Sequence, residues 1–279
     1  MPSIASIARL ADFLESIGNY ANPFEIFMCQ HFTHNGEMTI VDRKTGVSVK
    51  ALSESYTMFG HTWYQHDYDV AGCPLRKDDV VVDVGANHGF FTCYAAQRGA
   101  RVYAFEPNPK TFEFLKANIA RNGFGDRVNA QCTAVADFDG ETELQCYSSH
   151  DGWDTISPAR DQAVSDLFKQ EGIFKQKQGV PVKVGRLSSL IPSEGNIRLL
   201  KLDCEGAELA ILKDLKSIER FDSLALEFHS GVYPIQELIE RLLDYRTHQV
   251  YSMQGQIVQA IRSEILLEFA KSMNGSIPL

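Results

Sequence analysis

The second part of the chain alternates short apolar runs with longer segments of helical period. Apolar runs that predict strands lie at residues 80–84, 101–105, 128–132, 197–202 and 223–228. Apolar residues spaced three and four apart predict helices at residues 90–98, 109–122, 207–218 and 234–245. Strands that alternate with helices form βαβ units, so this pattern predicts an α/β fold with a mostly parallel sheet.

Residues 1–77 follow a different pattern and are interpreted as an N-terminal extension. The first 17 residues predict a helix with one apolar face, suited to packing or dimerisation rather than secretion, because charges interrupt it at each turn. Apolar runs at 38–41 and 47–52 predict a β-hairpin. The remaining residues, 78–279, form the sheet domain, which carries a polar insertion at about 138–186.

Composition excludes several classes of protein. The 279 residues carry a formal net charge of −9, so we expect no nucleic-acid partner. No apolar run reaches the roughly 18 residues that a membrane span needs. The six cysteines contain no CxxC pair and no zinc-type spacing, which predicts reduced thiols and a cytoplasmic location.

The strongest candidate for chemistry is the turn after the first strand of the sheet domain. In VVVDVGANHGFFT, residues 80–92, a buried strand carries Asp83 and runs into a turn bracketed by Gly85 and Gly89. Glycines let a ligand approach the backbone, and the N–H groups at the start of the next helix then face it. The spacing is not the GxGxxG of pyrophosphate binders, because Asn87 occupies one of its glycine positions.

Further acidic residues follow other predicted strands. Glu106, in VYAFEPNP, lies 23 residues after the acid of the first strand, where a carboxylate reaches the hydroxyls of a ribose. In LLKLDCEGAEL, Asp203 and Glu205 follow the carboxyl end of a strand, where open α/β sheets bind ligands, although acids there also cap helices. In LALEFHS, Glu227 and His229 point the same way if the segment is a strand.

These motifs, in this order, resemble the FkbM-type family of class I S-adenosylmethionine-dependent methyltransferases: VDVGANHGFFT, AFEPNP, Asn118, KLDCEGAE and LEFH. The resemblance covers roughly residues 78–230 and excludes the extension and the insertion. It implies a Rossmann-like sheet of about seven strands with the last one antiparallel. It also implies O-methylation of a small molecule, sugar or natural product, with S-adenosylhomocysteine as the second product.

The resemblance also assigns residues to the cofactor. The residues implied at its methionine end are Asp83, Gly85, Asn87 and Gly89. Glu106 would hold the ribose, and Asn108 would lie near the adenosine. Thr133 and Ala134, just after the third strand, would lie beside the adenine, and Asp203 would be a further cofactor contact.

Methyl transfer from a sulfonium to a hydroxyl needs aligned reactants and a base for the hydroxyl proton. His229 is the predicted base because an imidazole titrates near the working pH, with Glu227 or Glu205 to orient it and Asp203 as the alternative base. The same four residues also suit a divalent metal, Mg²⁺ or Mn²⁺, which would activate a bound hydroxyl. The sequence leaves both uses open.

Other activities share this fold. Nucleic-acid methyltransferases that modify amino groups carry a (D/N/S)PP(Y/F) signature, which this chain lacks. An N-methyltransferase with a peptide or amine acceptor stays an alternative to O-methylation. A binding protein without activity has no need of carboxylates at successive strand ends, so Asp83, Glu106 and Asp203 favour an enzyme.

An aromatic segment in the extension is one candidate for the acceptor site. Within HTWYQHDYD, residues 61–69, His66 and Tyr68 are the predicted substrate contacts, since they combine an aromatic face with a polar edge. Trp63 and Tyr64 are expected to pack in the core, as such residues commonly do.

The insertion contains a second candidate for the acceptor site. Its HDGWD segment predicts substrate contacts from His150, Asp151 and Trp153. The segment is too polar for a core, and connecting segments often carry function.

Overall fold

A computed structural model describes residues 17–274 apart from 33–35, 148–150, 172–176, 216–217, 230 and 255. The predicted N-terminal helix lies almost entirely outside the described residues, which begin with a helical turn at 17–19. Among the helices that are described, none combines the length and the hydropathy that a membrane span requires.

The N-terminal extension folds into a helix, a hairpin and short helical turns. Its elements are α1 (Pro23–Phe32), β1 (Glu37–Val41), β2 (Ser48–Leu52), α2 (Tyr56–Gly60) and a π-helical turn (His61–Gln65). β1 and β2 pair antiparallel over their full lengths, which confirms the predicted hairpin. Fully buried positions alternate with more accessible ones in both strands, because successive side chains point to opposite faces.

From residue 80 onward, most strands are followed by a helix. The strands are β3 (Val80–Val84), β4 (Arg101–Phe105), β5 (Val128–Gln131), β6 (Ala134–Ala136), β7 (Gly140–Tyr147), β8 (Lys177–Arg186), β9 (Ile197–Leu202), β10 (Phe221–Glu227), β11 (His248–Gln254) and β12 (Ile257–Arg262). The helices are α3 (Phe90–Gln97), α4 (Pro109–Arg121), α5 (Pro158–Glu171), α6 (Leu187–Leu190), α7 (Glu208–Asp214), α8 (Ile235–Asp244) and α9 (Ser263–Asn274). α7 ends before the predicted boundary because Leu215 adopts extended dihedral angles.

Seven of these strands form one sheet in the order β11–β12–β10–β9–β3–β4–β5. β10, β9, β3, β4 and β5 are parallel to one another, whereas β12 runs antiparallel to both of its neighbours. The α/β prediction is therefore confirmed, including the seven strands and the antiparallel last strand. All five predicted strands belong to this sheet.

The predicted insertion supplies two strands of a small second sheet, and β6, just before the insertion, supplies the third. β8 lies between β6 and β7, parallel to the first and antiparallel to the second. Helix α5 connects β7 to β8 and packs Val164 and Phe168 against Tyr147 and Trp153. The insertion is thus a folded unit that presents the 152–154 segment from a fixed support.

The extension shares a hydrophobic core with the sheet. One continuous cluster joins Ile26, Val49 and Phe59 of the extension to Phe91 of α3 and Leu115 of α4. Trp63 stacks on Phe59 with ring centroids 5.1 Å apart and donates its indole N–H to the Phe90 carbonyl, which confirms its predicted core position. The extension is therefore packed on one face of the sheet, and a second cluster fills the other face.

Two asparagines, Asn118 in α4 and Asn122 at its C-terminal cap, fix the hairpin to the sheet domain. The Asn118 amide accepts from the Lys50 N–H and donates to the Lys50 carbonyl, each at 2.8 Å. One turn later, Asn122 makes the same pair of bonds to Ser48. Residues four apart on a helix and residues two apart on a strand are separated by about the same distance. The two asparagines can therefore bond to the unpaired backbone N–H and C=O groups along the open edge of β2. Asn118 also donates to the His88 carbonyl in the turn after β3.

We predict that Asn118→Ala destabilises the protein by about 1–3 kcal/mol, because the partly buried backbone groups of Lys50 and the buried His88 carbonyl lose their partner. The free energy of unfolding in urea is the measurement. The matched control is Asn129→Ala, an exposed position on β5 where a change of under about 0.5 kcal/mol is expected. Equal losses in the two variants would contradict the role given to Asn118.

Candidate active site

The carboxyl ends of β3, β4, β9 and β10 open into a cavity of about 540 Å³. Its walls come from the sheet, from residues of the extension between 57 and 68, and from Leu144, Ile156 and residues 152–154 of the insertion. Most of the residues predicted for the site line it: Tyr68, Gly85, Asn87, Glu106, Thr133, Ala134, Trp153, Asp203, Glu205 and Glu227. The open sheet thus carries its site where the strands end, as expected for this architecture.

The turn after β3 lies directly against the end of β9. Gly85 has φ +77°, and a Cβ at this position would stand 1.7 Å from the Asp203 carbonyl oxygen. Gly89 has φ +87°, and a Cβ there would stand 2.7 Å from Leu115 of α4. Both positions require glycine, because a side chain would meet atoms in a backbone conformation that L residues rarely adopt.

Glu106, just after β4, is held by two backbone donors. One carboxylate oxygen accepts from the Asn87 N–H at 2.8 Å and the other from the Asn108 N–H at 2.9 Å. The side chain is 6% exposed, so its direction is fixed while it faces the cavity. A carboxylate oriented in this way can accept hydroxyl hydrogen bonds from a ribose.

Asn108 has a structural position. Its side chain accepts from the Lys110 N–H as the N-cap of α4, and it donates to Asp154 of the insertion at 2.5 Å. Asn108 is not among the described residues that line the cavity. It therefore joins α4 to the cavity wall that Asp154 and Trp153 form.

Lys201 is a site residue that the sequence reasoning missed. It is the partner of Asp83 in the β3–β9 register, and its ammonium lies 3.2 Å from Asp83 Oδ1, 3.4 Å from Asp203 Oδ2 and 3.0 Å from the Gly85 carbonyl. Asp83 is fully buried, accepts from Thr92 at 2.6 Å and does not itself line the described cavity. The signal for this residue in the sequence was a lysine inside the apolar run IRLLKL, residues 197–202, because a buried ammonium needs a negatively charged partner.

The charge of Lys201 is secured by its neighbours. Burial lowers the pKa of Lys201, but the carboxylates of Asp83 and Asp203 outweigh this effect and raise it above its ordinary value. Lys201 is therefore a permanent cation beneath the cavity, and it also lies 5.0 Å from the centre of the Tyr68 ring.

Glu227, the last residue of β10, faces the cavity beside Asp203. Repulsion by Asp203, followed by burial, raises the pKa of Glu227 to about 8. The Tyr68 hydroxyl lies 2.9 Å from Asp203 Oδ2 and 3.2 Å from Glu227 Oε2. The structure thus brings the predicted Asp203, Glu227 and Tyr68 together at one point of the cavity.

His229 is enclosed by carboxylates. Its Nε2 lies 3.3 Å from Glu205, and its Nδ1 lies 3.1 Å from Glu208, a residue that the sequence reasoning did not assign. Burial lowers the pKa of His229, but hydrogen bonds to Glu205 and Glu208 raise it well above its ordinary value. An imidazolium that donates from both nitrogens has no lone pair for a further proton. The base role predicted for His229 therefore does not follow from this geometry.

Glu208 anchors the loop between β9 and α7. One or both of its oxygens accept from the Cys204 N–H, the Gly206 N–H and the Tyr233 hydroxyl, and the side chain is fully buried. Burial raises the pKa of Glu208, but His229 outweighs it and the pKa falls to about 2. The signal for Glu208 in the sequence was that it is the second acid of the EGAE motif, residues 205–208.

The predicted metal ligands come together only in part. Donor atoms of Asp203, Glu205 and His229 lie within 4.8 Å of one another. Glu205, however, already pairs with Arg160 at 2.6 Å, Asp203 lies 3.4 Å from Lys201, and the two nitrogens of His229 face the carboxylates of Glu205 and Glu208. Because cations already neutralise these carboxylates, the donor set does not fit a divalent metal.

The predicted substrate residues separate into two groups. Tyr68 and Trp153 line the cavity, and Trp153 stacks on Phe168 of α5 at 5.1 Å. His66 instead contacts the Tyr94 hydroxyl at 2.8 Å and is not among the described lining residues. His150 and the side chain of Asp151 lie outside the described part of the chain.

The order of the seven strands, the antiparallel last strand and the acidic site at the strand ends define a class I methyltransferase. A sequence profile of the methyltransferase FkbM domain matches residues 83–253. The chain belongs to this family. It is an enzyme that transfers methyl groups, and S-adenosylmethionine is its cofactor.

Several relatives have been named. Methyltransferase sdnD of Sordaria araneosa is 29% identical over 232 residues, which cover 75% of this chain and 88% of that protein. The 31-O-demethyl-FK506 methyltransferase FkbM of Streptomyces tacrolimicus is 32% identical over 192 residues, or 61% and 73% of the two chains. The hexuronic acid methyltransferase AglP of Haloferax volcanii is 30% identical over 163 residues, or 57% and 59%.

We predict that Lys201→Met lowers the free energy of unfolding by about 3–5 kcal/mol, because it leaves the charge of Asp83 buried without its counter-ion. Chemical denaturation measures the loss. Lys213→Met is the control, since Lys213 and Glu237 form an exposed ion pair worth under about 1 kcal/mol. A loss in Lys201→Met as small as in the control would show that the buried pair does not secure the β3–β9 junction.

Proposed function

We propose that the protein is an O-methyltransferase that acts on a hydroxyl of a small molecule, sugar or natural-product intermediate. The observation that carries the proposal is Glu227, a carboxylate with a raised pKa of about 8 at the wall of the cofactor cavity. A group whose pKa lies near the working pH is the efficient general base for a hydroxyl. Two named relatives, one for an O-demethyl compound and one for a hexuronic acid, support an oxygenated acceptor.

We assign the cofactor to the part of the cavity beneath β3 and β4. Glu106 is oriented to accept from the ribose hydroxyls, and Thr133 and Ala134 supply the wall proposed for the adenine. Gly85 leaves room for the methionine end of the cofactor. Asp83 does not contact the cofactor in this assignment and instead holds Lys201 in place through their ion pair. The carboxylates of this region suit a cofactor that carries a sulfonium charge.

The proposed reaction is an in-line displacement assisted by Glu227. The acceptor oxygen attacks the methyl carbon, the carbon–sulfur bond breaks with its electron pair going to sulfur, and S-adenosylhomocysteine leaves. Glu227 takes the proton that the hydroxyl loses. His229 and Glu208 hold the loop that carries Asp203 and Glu205, so the alignment of reactants rests on a fixed charge network.

The acceptor is assigned to the side of the cavity formed by the extension and the insertion. Thr57, Thr62 and Gln65 supply polar groups there, and Met58 and Trp153 supply apolar faces. Among the described residues that line the cavity, six are acidic, which disfavours a nucleic-acid acceptor: Asp67, Glu106, Asp154, Asp203, Glu205 and Glu227. Dimerisation through the N-terminal region stays a prediction.

We predict that calorimetry detects binding of S-adenosylmethionine to the wild type and that Glu106→Ala weakens it about 10–100-fold, through loss of charge-assisted hydrogen bonds to the ribose. The control is Glu113→Ala, an exposed position on α4 next to the same region. Absence of cofactor binding to the wild type would overturn the proposed function. Unchanged binding in Glu106→Ala would overturn the ribose assignment alone.

We predict that turnover rises with pH through the pKa of Glu227, because the carboxylate must be ionised to accept a proton. The rising limb of the pH profile lies at or below about pH 8, because the positive charge of a bound sulfonium favours the ionised form of Glu227. Glu227→Gln is expected to lower turnover by about 10²–10⁴-fold and to remove the limb. An acceptor for this measurement comes from a screen of hydroxylated metabolites with methyl-labelled cofactor.

The control for this experiment is Glu237→Gln, an exposed acid on α8. It should keep both the turnover and the pH profile of the wild type. Retention of the wild-type limb in Glu227→Gln would assign the base to another residue, with Asp203 as the next candidate.

A further inference from the structure

Tyr68 reaches the reaction centre from outside the family domain. It belongs to the extension, whereas the FkbM domain match begins at residue 83. The side chain is 8% exposed, and its hydroxyl lies 2.9 Å from Asp203 and 3.2 Å from Glu227. The Tyr68 hydroxyl therefore lies between two carboxyl groups, and the number of hydrogens that the three groups share decides how many hydrogen bonds they form.

The hydroxyl carries one hydrogen but contacts two acidic groups. If both carboxylates are ionised, the hydroxyl donates to one of them and its oxygen faces the other without a hydrogen between them. If one acid carries a proton, that acid donates to the phenol oxygen while the phenol donates to the other acid. The second arrangement makes two hydrogen bonds where the first makes one.

The surrounding charges decide which acid carries the proton. Asp203 is the closer acceptor of the Tyr68 hydroxyl, and the Lys201 ammonium lies 3.4 Å from its Oδ2 as a counter-ion. The charged groups around Glu227 are Asp203, His229, Glu205 and Lys201, with Asp83 behind Lys201, and repulsion by Asp203 is the largest influence. Glu227 is therefore the acid that holds the proton and donates it to the Tyr68 oxygen.

Tyr68 is held in this position by the antiparallel strand. Gln259 of β12 donates from its amide to the carbonyls of Asp67 and Asp69 at 3.0 and 3.1 Å, on both sides of Tyr68. Register partners place Asp83, Lys201, Ala225 and Gln259 in one row across β3, β9, β10 and β12. The short side chain of Ala225 belongs to the same row, and Gln259, like Tyr68, lies outside residues 83–253.

We propose that Tyr68 is a positioning residue that joins Asp203 and Glu227 into one proton-sharing unit and so selects Glu227 as the base. This inference rests on the proposed function. When the acceptor binds, Glu227 releases its proton to solvent while Tyr68 keeps its hydrogen bond to Asp203, and the ionised Glu227 then accepts the hydroxyl proton. After methyl transfer, the protonated Glu227 again donates a hydrogen bond to the Tyr68 oxygen, so that one proton leaves to solvent in each turnover.

The test is infrared difference spectroscopy of the full chain without cofactor, below the pKa of Glu227. The spectrum of the wild type minus that of Glu227→Gln is expected to show the carbonyl stretch of one protonated carboxyl. In Tyr68→Phe this band is expected at higher wavenumber, because the carboxyl has lost its acceptor. Tyr64→Phe is the matched control, since the Tyr64 hydroxyl bonds to Asn19 and Asp42 away from the cavity, and it should leave the band unchanged.

A second variant tests the support of Tyr68. Gln259→Met is expected to displace the band in the same direction, and the double variant with Tyr68→Phe is expected to add no further shift. Absence of a protonated carboxyl in the wild type, or an unshifted band in Tyr68→Phe, would overturn the inference. Cofactor binding by calorimetry is independent of this band, so a protein that binds S-adenosylmethionine but lacks the shift would retain the proposed function and lose this inference.

Discussion

The ion pair between Asp83 and Lys201 is the constraint on which the site depends. The two residues are register partners in neighbouring parallel strands, and both side chains are almost fully buried. An ion pair taken out of water is stabilising only when its geometry and remaining hydrogen bonds are good, and here Thr92, Gly85 and Asp203 complete them. The pair fixes how the ends of β3 and β9 meet, and Gly85 allows the two backbones to touch.

The other acids near the junction of β3 and β9 differ in their chemical properties because they have different charged neighbours. Glu205 and Glu208 hold His229 as a cation between them, and Arg160 also binds Glu205. Asp203 lies beside Lys201. The negative charge of Glu227 is the least compensated by nearby cations, and the pKa of Glu227 is therefore raised. Acids that look equivalent in the sequence therefore differ in function because each faces a different set of cations.

The extension and the insertion are part of the site rather than additions to it. The extension packs into the core of the sheet, pairs with α4 through Asn118 and brings Tyr68 over Lys201. The insertion folds around the small second sheet and contributes Arg160 to Glu205, Asp154 to Asn108 and a cavity wall at Trp153. Both segments line the cavity at the strand ends, on the side that the proposed function assigns to the acceptor.

The sequence by itself determined the fold class, the hairpin, the strands that carry the acids and the glycine turn after β3, since these follow from local periodicity, glycine positions and motif order. It left the partners of most acids open. It offered Glu227 or Glu205 as the partner of His229, did not single out Lys201, and grouped His66 with Tyr68 as a substrate contact. Only the tertiary structure decided these, because strand register, burial and the packing of the extension set which charges face each other across distant parts of the chain.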